Sequence, residues 1–271
     1  MFENNRFFNS NNIKIIAIIL MIIDHIGLYM GGIFPENVNF MLRFIGRISM
    51  PIFAYFVAVG CVKTKNLKNF FIRMLSFAVL FKIVTIILEI INMNFFEDYY
   101  VGLNNYLNIL FTYAVTILGI IFIEKISIKY KNIEKKNFGY LTVITIIYVI
   151  FNIIKFECGL RVPILIFSFY FIMKNNFMKK ILKNKYIECI CILAIIYLSV
   201  LLGDTEYYYN LPSLLSVILI LLYNGERKTK KIKKENKEES KNIVKIKRYK
   251  FYLIYIIQHS IIYITTMMLL G

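Results

Sequence analysis

The sequence predicts an all-α, polytopic membrane bundle folded as one domain over residues 1–271. Three observations carry that prediction. Apolar runs of about 17–24 residues recur along the chain, each long enough for one bilayer-spanning helix. Hydrophobic residues make up 59% of the 271 and mean hydropathy is +0.64, more apolar surface than a soluble core of this size absorbs. Basic residues, finally, collect in every second linker between the runs.

Nine spans are expected. In order they are Ile13–Phe34, Phe40–Val62, Phe70–Ile91, Leu103–Ile123, Phe138–Ile154, Arg161–Met173, Tyr186–Gly203, Tyr208–Tyr223 and Phe251–Leu270. The polar leader MFENNRFFNSNN has no small-residue cleavage site, so Ile13–Phe34 reads as a retained helix and not a signal peptide. Lys63, Lys65 and Lys68 follow the second span, Lys125, Lys129 and Lys131 the fourth, and Lys179, Lys180 and Lys183 the sixth. The linkers after the third and seventh spans carry Glu97, Asp98, Asp204 and Glu206. This alternation is the positive-inside pattern, and it predicts a cytoplasmic N-terminus in the cell's inner (cytoplasmic) membrane. With no Trp in the chain, its 20 Tyr would supply the interfacial aromatic belt.

Residues 224–250 form the one extended hydrophilic stretch, a basic cytoplasmic loop expected to lie on anionic lipid. The net charge of +17 is not read as a nucleic-acid surface, because no aromatic interleaving or folded module accompanies it. The four cysteines, Cys61, Cys158, Cys189 and Cys191, read as packing residues.

Chemistry is expected where ionisable groups enter the apolar runs, since such groups are costly in a bilayer. Asp24 and His25 sit at the middle of the first span, and His259, the second of two histidines, sits in the last. Adjacent helical side chains diverge by about 100°, so Asp24 and His25 need partners on other helices. Arg43 and Arg47, four apart on one face, offer Asp24 such a partner, with Asp24–Arg47 the expected pair. That pair reads equally as structural glue. A neutral buried His25 is a competent general base or nucleophile. Asn108 and Thr112 share a face and are expected to line the same cavity; Arg73, with Lys63 and Lys65, sits at the basic edge where phosphates of a nucleotide-like donor would be met.

No phosphate-binding glycine loop or metal-ligand spacing is present. His, Asp, Arg and Asn in a membrane cavity suit acyl transfer from a cytosolic thioester, with a base at the acceptor and donors at the oxyanion. The alternative is a transporter or peptide exporter whose midplane His and Asp relay protons; inverted repeats would mark it.

The segments KIIAIILMIIDHIG, LRFIGRISMPIFAYFVAVG, LNILFT and LLYNGER, followed by a terminal span with an intramembrane His, resemble the TraX family in the same order along most of the chain. The resemblance implies an acetyl-CoA-dependent acyltransferase acting on the N-terminal amine of a peptide or pilin-like protein. It implies roles for Asp24, His25 and His259 in catalysis, and for Arg47, Asn108, Thr112 and Asn224 around acetyl-CoA; Arg43, on the face of Arg47, and Arg73, at the basic edge, are expected beside the same donor. Two places depart from the family pattern: FYLIYIIQHS lacks the proline expected before the last histidine, and the acidic–Tyr–Gly signature stands as Glu157-Cys158-Gly159.

Overall fold

The computed structural model describes residues 7–95, 106–203, 210–225 and 237–270. Glu97, Asp98, Asp204 and Glu206, much of the basic loop, and the first residues of the expected fourth and eighth spans lie outside the described residues. The described chain is a helical bundle. Its helices are α1 (Ser10–Tyr29), α2 (Glu36–Gly46), α3 (Ser49–Lys63), α4 (Leu67–Phe95), α5 (Ile109–Lys129), α6 (Ile133–Ile153), α7 (Arg161–Lys174), α8 (Asn176–Ile181) and α9 (Lys185–Gly203). A 3-10 turn at Leu211–Leu215 then leads into α10 (Ser216–Leu221), and α11 (Lys237–Leu270) closes the chain.

Helix starts follow a simple chemistry. Asparagine caps α1, α5, α6 and α8 as Asn9, Asn108, Asn132 and Asn175, each side chain accepting from amides of the first turn. Those amides have no intrahelical partner, which is why a short polar side chain is favoured there. The expected second span is two helices. The ladder breaks at Arg47 and Ile48, just before Pro51, which has no N–H and is tolerated only in a first turn. Together α2 and α3 still form one predominantly apolar stretch of 28 residues.

Seven stretches among the described residues are long and apolar enough to cross a membrane: Ser10–Tyr29, Glu36–Lys63, Leu67–Met93, Ile109–Lys129, Ile133–Ile153, Lys185–Leu202 and Tyr249–Leu269. Two expected spans are shorter. Arg161–Met173 is the 14-residue α7, roughly 21 Å of helix against a hydrocarbon core of about 30 Å. The described part of Tyr208–Tyr223, residues 210–223, holds a 3-10 turn followed by the 6-residue α10. The apolarity of α7 reflects burial in protein: Val162, Leu165 and Ile166 are fully buried, and the helix packs against α3, α5 and α9. A run of apolar residues cannot by itself separate a lipid-facing span from a core helix.

The core lies around α3, whose Ala54 and Ala58 are fully buried and let α7 and α1 approach closely. Helix α4 packs on α5, and α5 on α6, which lies at the bundle edge with only Ile147 and Phe151 buried. The final helix crosses α1 and α4. This crossing brings the two histidines together.

Candidate functional site

A cavity of about 550 Å³ runs along one face of α1. Ser10, Lys14, Ile18, Met21 and His25 line it at helical spacing, so the cavity follows α1 for roughly 22 Å. The opposite wall is α3, through Ser49, Met50, Phe53, Phe56, Val57 and Gly60. At the Ser10 end the lining is basic and aromatic: Lys63, Lys65 and Arg73 stand with Phe70, Tyr223 and Phe251. Lys14 lies over the rings of Phe56 at 4.9 Å and Phe251 at 5.4 Å. At the far end the lining is ionisable, with Asp24, His25, Arg47, Glu157, Cys158, Tyr113 and Tyr255.

Asp24 is fixed from α2. Its Oδ2 is 3.0 Å from Arg43 Nη1 and 3.9 Å from Arg47 Nη1, and Arg43 Nη1 also donates to the Asp24 carbonyl at 3.1 Å. The expected Asp24–Arg47 pair is therefore the weaker of two, because Arg43 reaches one carboxylate oxygen and the backbone carbonyl of the residue. Gly46 makes this approach possible: a Cβ there would lie 2.5 Å from Asp24 Cα. Arg47, held less tightly, faces the cavity.

His25 is 5% exposed and hydrogen-bonds through Nδ1 to Gln258 Nε2 at 2.7 Å. The same Gln258 nitrogen donates to the Tyr255 carbonyl at 3.2 Å. A carbonyl only accepts, so this end of the side chain is the amide NH2, and His25 Nδ1 is an acceptor. Neutral His25 then carries its proton on Nε2. His259 lies behind it, ring centroids 5.3 Å apart and edge-on, with Nε2 3.1 Å from the Tyr29 hydroxyl and its ring against Phe81 at 4.6 Å. It supports His25 and Tyr29 and does not line the cavity.

Glu157 comes from the connection between α6 and α7. Leu107 and Phe156 form a parallel bridge, Glu157 N donates to Leu107 O at 2.8 Å, and Thr112 Oγ1 donates to Glu157 O at 3.1 Å. The turn closes through Cys158 and Gly159, both with positive φ (61° and 47°), a strained conformation for a residue with a Cβ. Glu157 Oε2 accepts from the first amide of α5, Ile109 N, at 2.8 Å, and Tyr255 Oη lies 3.5 Å away. Burial raises the Glu157 carboxyl above its usual range, against the lowering pull of His25 and the Ile109 amide. Burial and the neighbouring Glu157 push the Cys158 thiol up to about 12, which leaves it a poor nucleophile at neutral pH.

Of the residues singled out in the sequence, Asp24, His25, Arg47 and Arg73 line the cavity. Asn108 and Thr112 stand beside it in a supporting position: Asn108 caps α5 and donates to Ala78 O at 3.0 Å, and Thr112 holds the Glu157 backbone. Asn224 follows the lining residue Tyr223, its amide donating to Phe8 O at 3.0 Å. Glu157, Tyr113, Tyr255, Lys14 and Gln258 are the additions. The tripeptide Glu157-Cys158-Gly159 is the sequence signal for the first, a carboxylate and a glycine between two apolar runs. Gln258 has no signal beyond its place beside His259.

Fold and site define a polytopic helical membrane protein with a cavity that is basic at one end and ionisable at the other. The sequence matches the family model described as "TraX protein" over residues 9–265, and the chain belongs to that family. It is also 36% identical over 93 residues to an uncharacterized protein of Rickettsia prowazekii (strain Madrid E), a match covering 33% of this chain and 33% of that protein. The chain therefore aligns with about a third of the curated relative it matches. No solved structure matches it significantly.

Proposed function

We propose that the protein is an acetyl-CoA-dependent acyltransferase of the cytoplasmic membrane that acetylates the N-terminal amine of a peptide or pilin-like protein. The observation that carries this reading is one continuous cavity with two chemically different ends. Its basic and aromatic mouth, Lys14, Lys63, Lys65 and Arg73 with Phe70 and Tyr223, suits the phosphates and adenine of a CoA nucleotide. Its ionisable floor lies the length of most of α1 away, where a thioester on an extended arm would arrive. The positive-inside pattern supports this reading, since it turns the basic end toward the cytosol, where acetyl-CoA is made available.

In this reading the acceptor nitrogen attacks the thioester carbonyl carbon. An N–C bond forms, the C–S bond breaks, and one amine proton passes to the departing thiolate. The developing oxyanion is met by the His25 Nε2–H and the Arg47 guanidinium, donors fixed before the reaction by Gln258 and Asp24. Asp24 acts by holding Arg43 and Arg47 in place, and His259 by packing behind His25. Asn108 and Thr112 shape the floor through the α5 start and the Glu157 backbone.

Binding of CoA to the purified protein in nanodiscs tests the donor end. Replacing Lys65 and Arg73 together by alanine is expected to weaken CoA binding by about tenfold or more, an effect that shrinks as salt is raised. The same double variant is expected to leave binding of N-acetylcysteamine thioester, which has no phosphates, unchanged. Equal affinity of wild type and double variant for CoA would contradict a nucleotide site at this mouth.

A further inference from the structure

Among the described residues the cavity floor holds two carboxylates, and their surroundings differ. Asp24 is held through Oδ2 by two guanidiniums, Arg43 at 3.0 Å and Arg47 at 3.9 Å. Glu157 has no cation within ion-pair distance among the described residues; its contacts are the Ile109 amide at 2.8 Å and Tyr255 Oη at 3.5 Å, both on Oε2. His25, the obvious alternative, has its acceptor nitrogen occupied by Gln258 and presents a donor on the other. The backbone holding Glu157 is built for placement: a bridge to Leu107, a latch from Thr112, and two successive left-handed residues.

Resting on the acyltransferase reading, we infer that Glu157 is the general base of the transfer: its carboxylate takes the proton of the attacking amine and returns it to the CoA thiolate. Electrons balance within the thioester exchange, with no further reactant: the amine N–H proton moves to Glu157 as the N–C bond forms, and from Glu157 to sulfur as the C–S bond breaks. His25 is the oxyanion donor in this scheme, and Tyr255 and the α5 N-terminus hold the carboxylate.

The test compares two acceptors, a short synthetic peptide with a free α-amine and hydroxylamine, whose weakly basic nitrogen gives an adduct acidic enough to lose its proton to water. Glu157→Gln in nanodiscs is expected to lower acetyl transfer to the peptide by about 10²–10⁴-fold, while transfer to hydroxylamine falls by less than about tenfold and CoA binding holds. Loss of both activities in equal measure would make Glu157 a structural residue and overturn the inference, as would peptide acetylation within about threefold of wild type. Should Glu157→Gln fail to fold, Glu157→Asp decides: displacement of the carboxylate lowers the peptide-to-hydroxylamine rate ratio if Glu157 is the base, and an unchanged ratio refutes it. Wild-type protein that acetylates neither acceptor would sink the acyltransferase reading itself, an outcome distinct from failure of the Glu157 assignment.

Discussion

Arg43→Met is expected to cost about 3–5 kcal/mol of stability, because it strips a largely buried carboxylate of its closest partner. The Arg43 and Asp24 side chains are 18% and 15% exposed, and Arg43 holds both the carboxylate and the backbone oxygen of Asp24. Arg47, 3.9 Å away, would be left as the sole counter-charge among the described residues. Arg47→Met removes the longer contact and should cost only about 1 kcal/mol, with its main effect on catalysis. The measurement is thermal unfolding in one detergent, reading the midpoint for both variants. Adding Asp24→Asn to Arg43→Met should recover part of the loss, since the stranded charge is gone. Equal destabilisation by the two arginine substitutions would mean that Arg43 is not the anchor.

Gly46→Ala carries the second large effect. The new methyl would meet Asp24 Cβ and backbone rather than the tip of a flexible side chain, so α1 and α2 must separate. Overpacking of this kind costs about 1–3 kcal/mol, and contact with backbone places this case at the upper end. Separation would also pull Asp24 from Arg43 and shift His25, so acetyl transfer should fall more steeply than the yield of folded protein. Gly60→Ala is the control: its Cβ would meet only the Phe70 ring, at 3.0 Å, which can rotate aside. A Gly46→Ala protein with wild-type melting and activity would refute the close crossing.

Much of this arrangement is legible in the residues. The helical class follows from the apolar runs, and the meeting of the chain's ends follows from two histidines placed mid-span in its first and last segments, which the structure sets 5.3 Å apart. The arginine pair on one face reads correctly as the partner of Asp24, yet spacing alone does not say which arginine arrives first; the break before Pro51 does, by ending α2 with Arg43 in its last turn and Arg47 at its cap. The length of α7 is less legible, because burial in protein and burial in lipid select the same side chains. Asn108 is ambiguous for a related reason: an asparagine that caps a helix and one that faces a cavity look alike in sequence. Glu157 depends on a bridge between residues 107 and 156, a contact across two helices that no local pattern encodes.

Acetyl transfer at this cavity is read by intact-mass analysis of a free-amine peptide. The peptide is incubated with acetyl-CoA and the nanodisc-embedded protein, with His25→Ala alongside. A gain of one acetyl group is expected with wild type, and a loss of at least about 10²-fold in rate with His25→Ala, whose CoA binding persists. A wild-type protein that neither binds CoA nor adds acetyl to any peptide amine would contradict the acyltransferase reading, and would return the midplane Asp24 and His25 to the proton relay of a transporter.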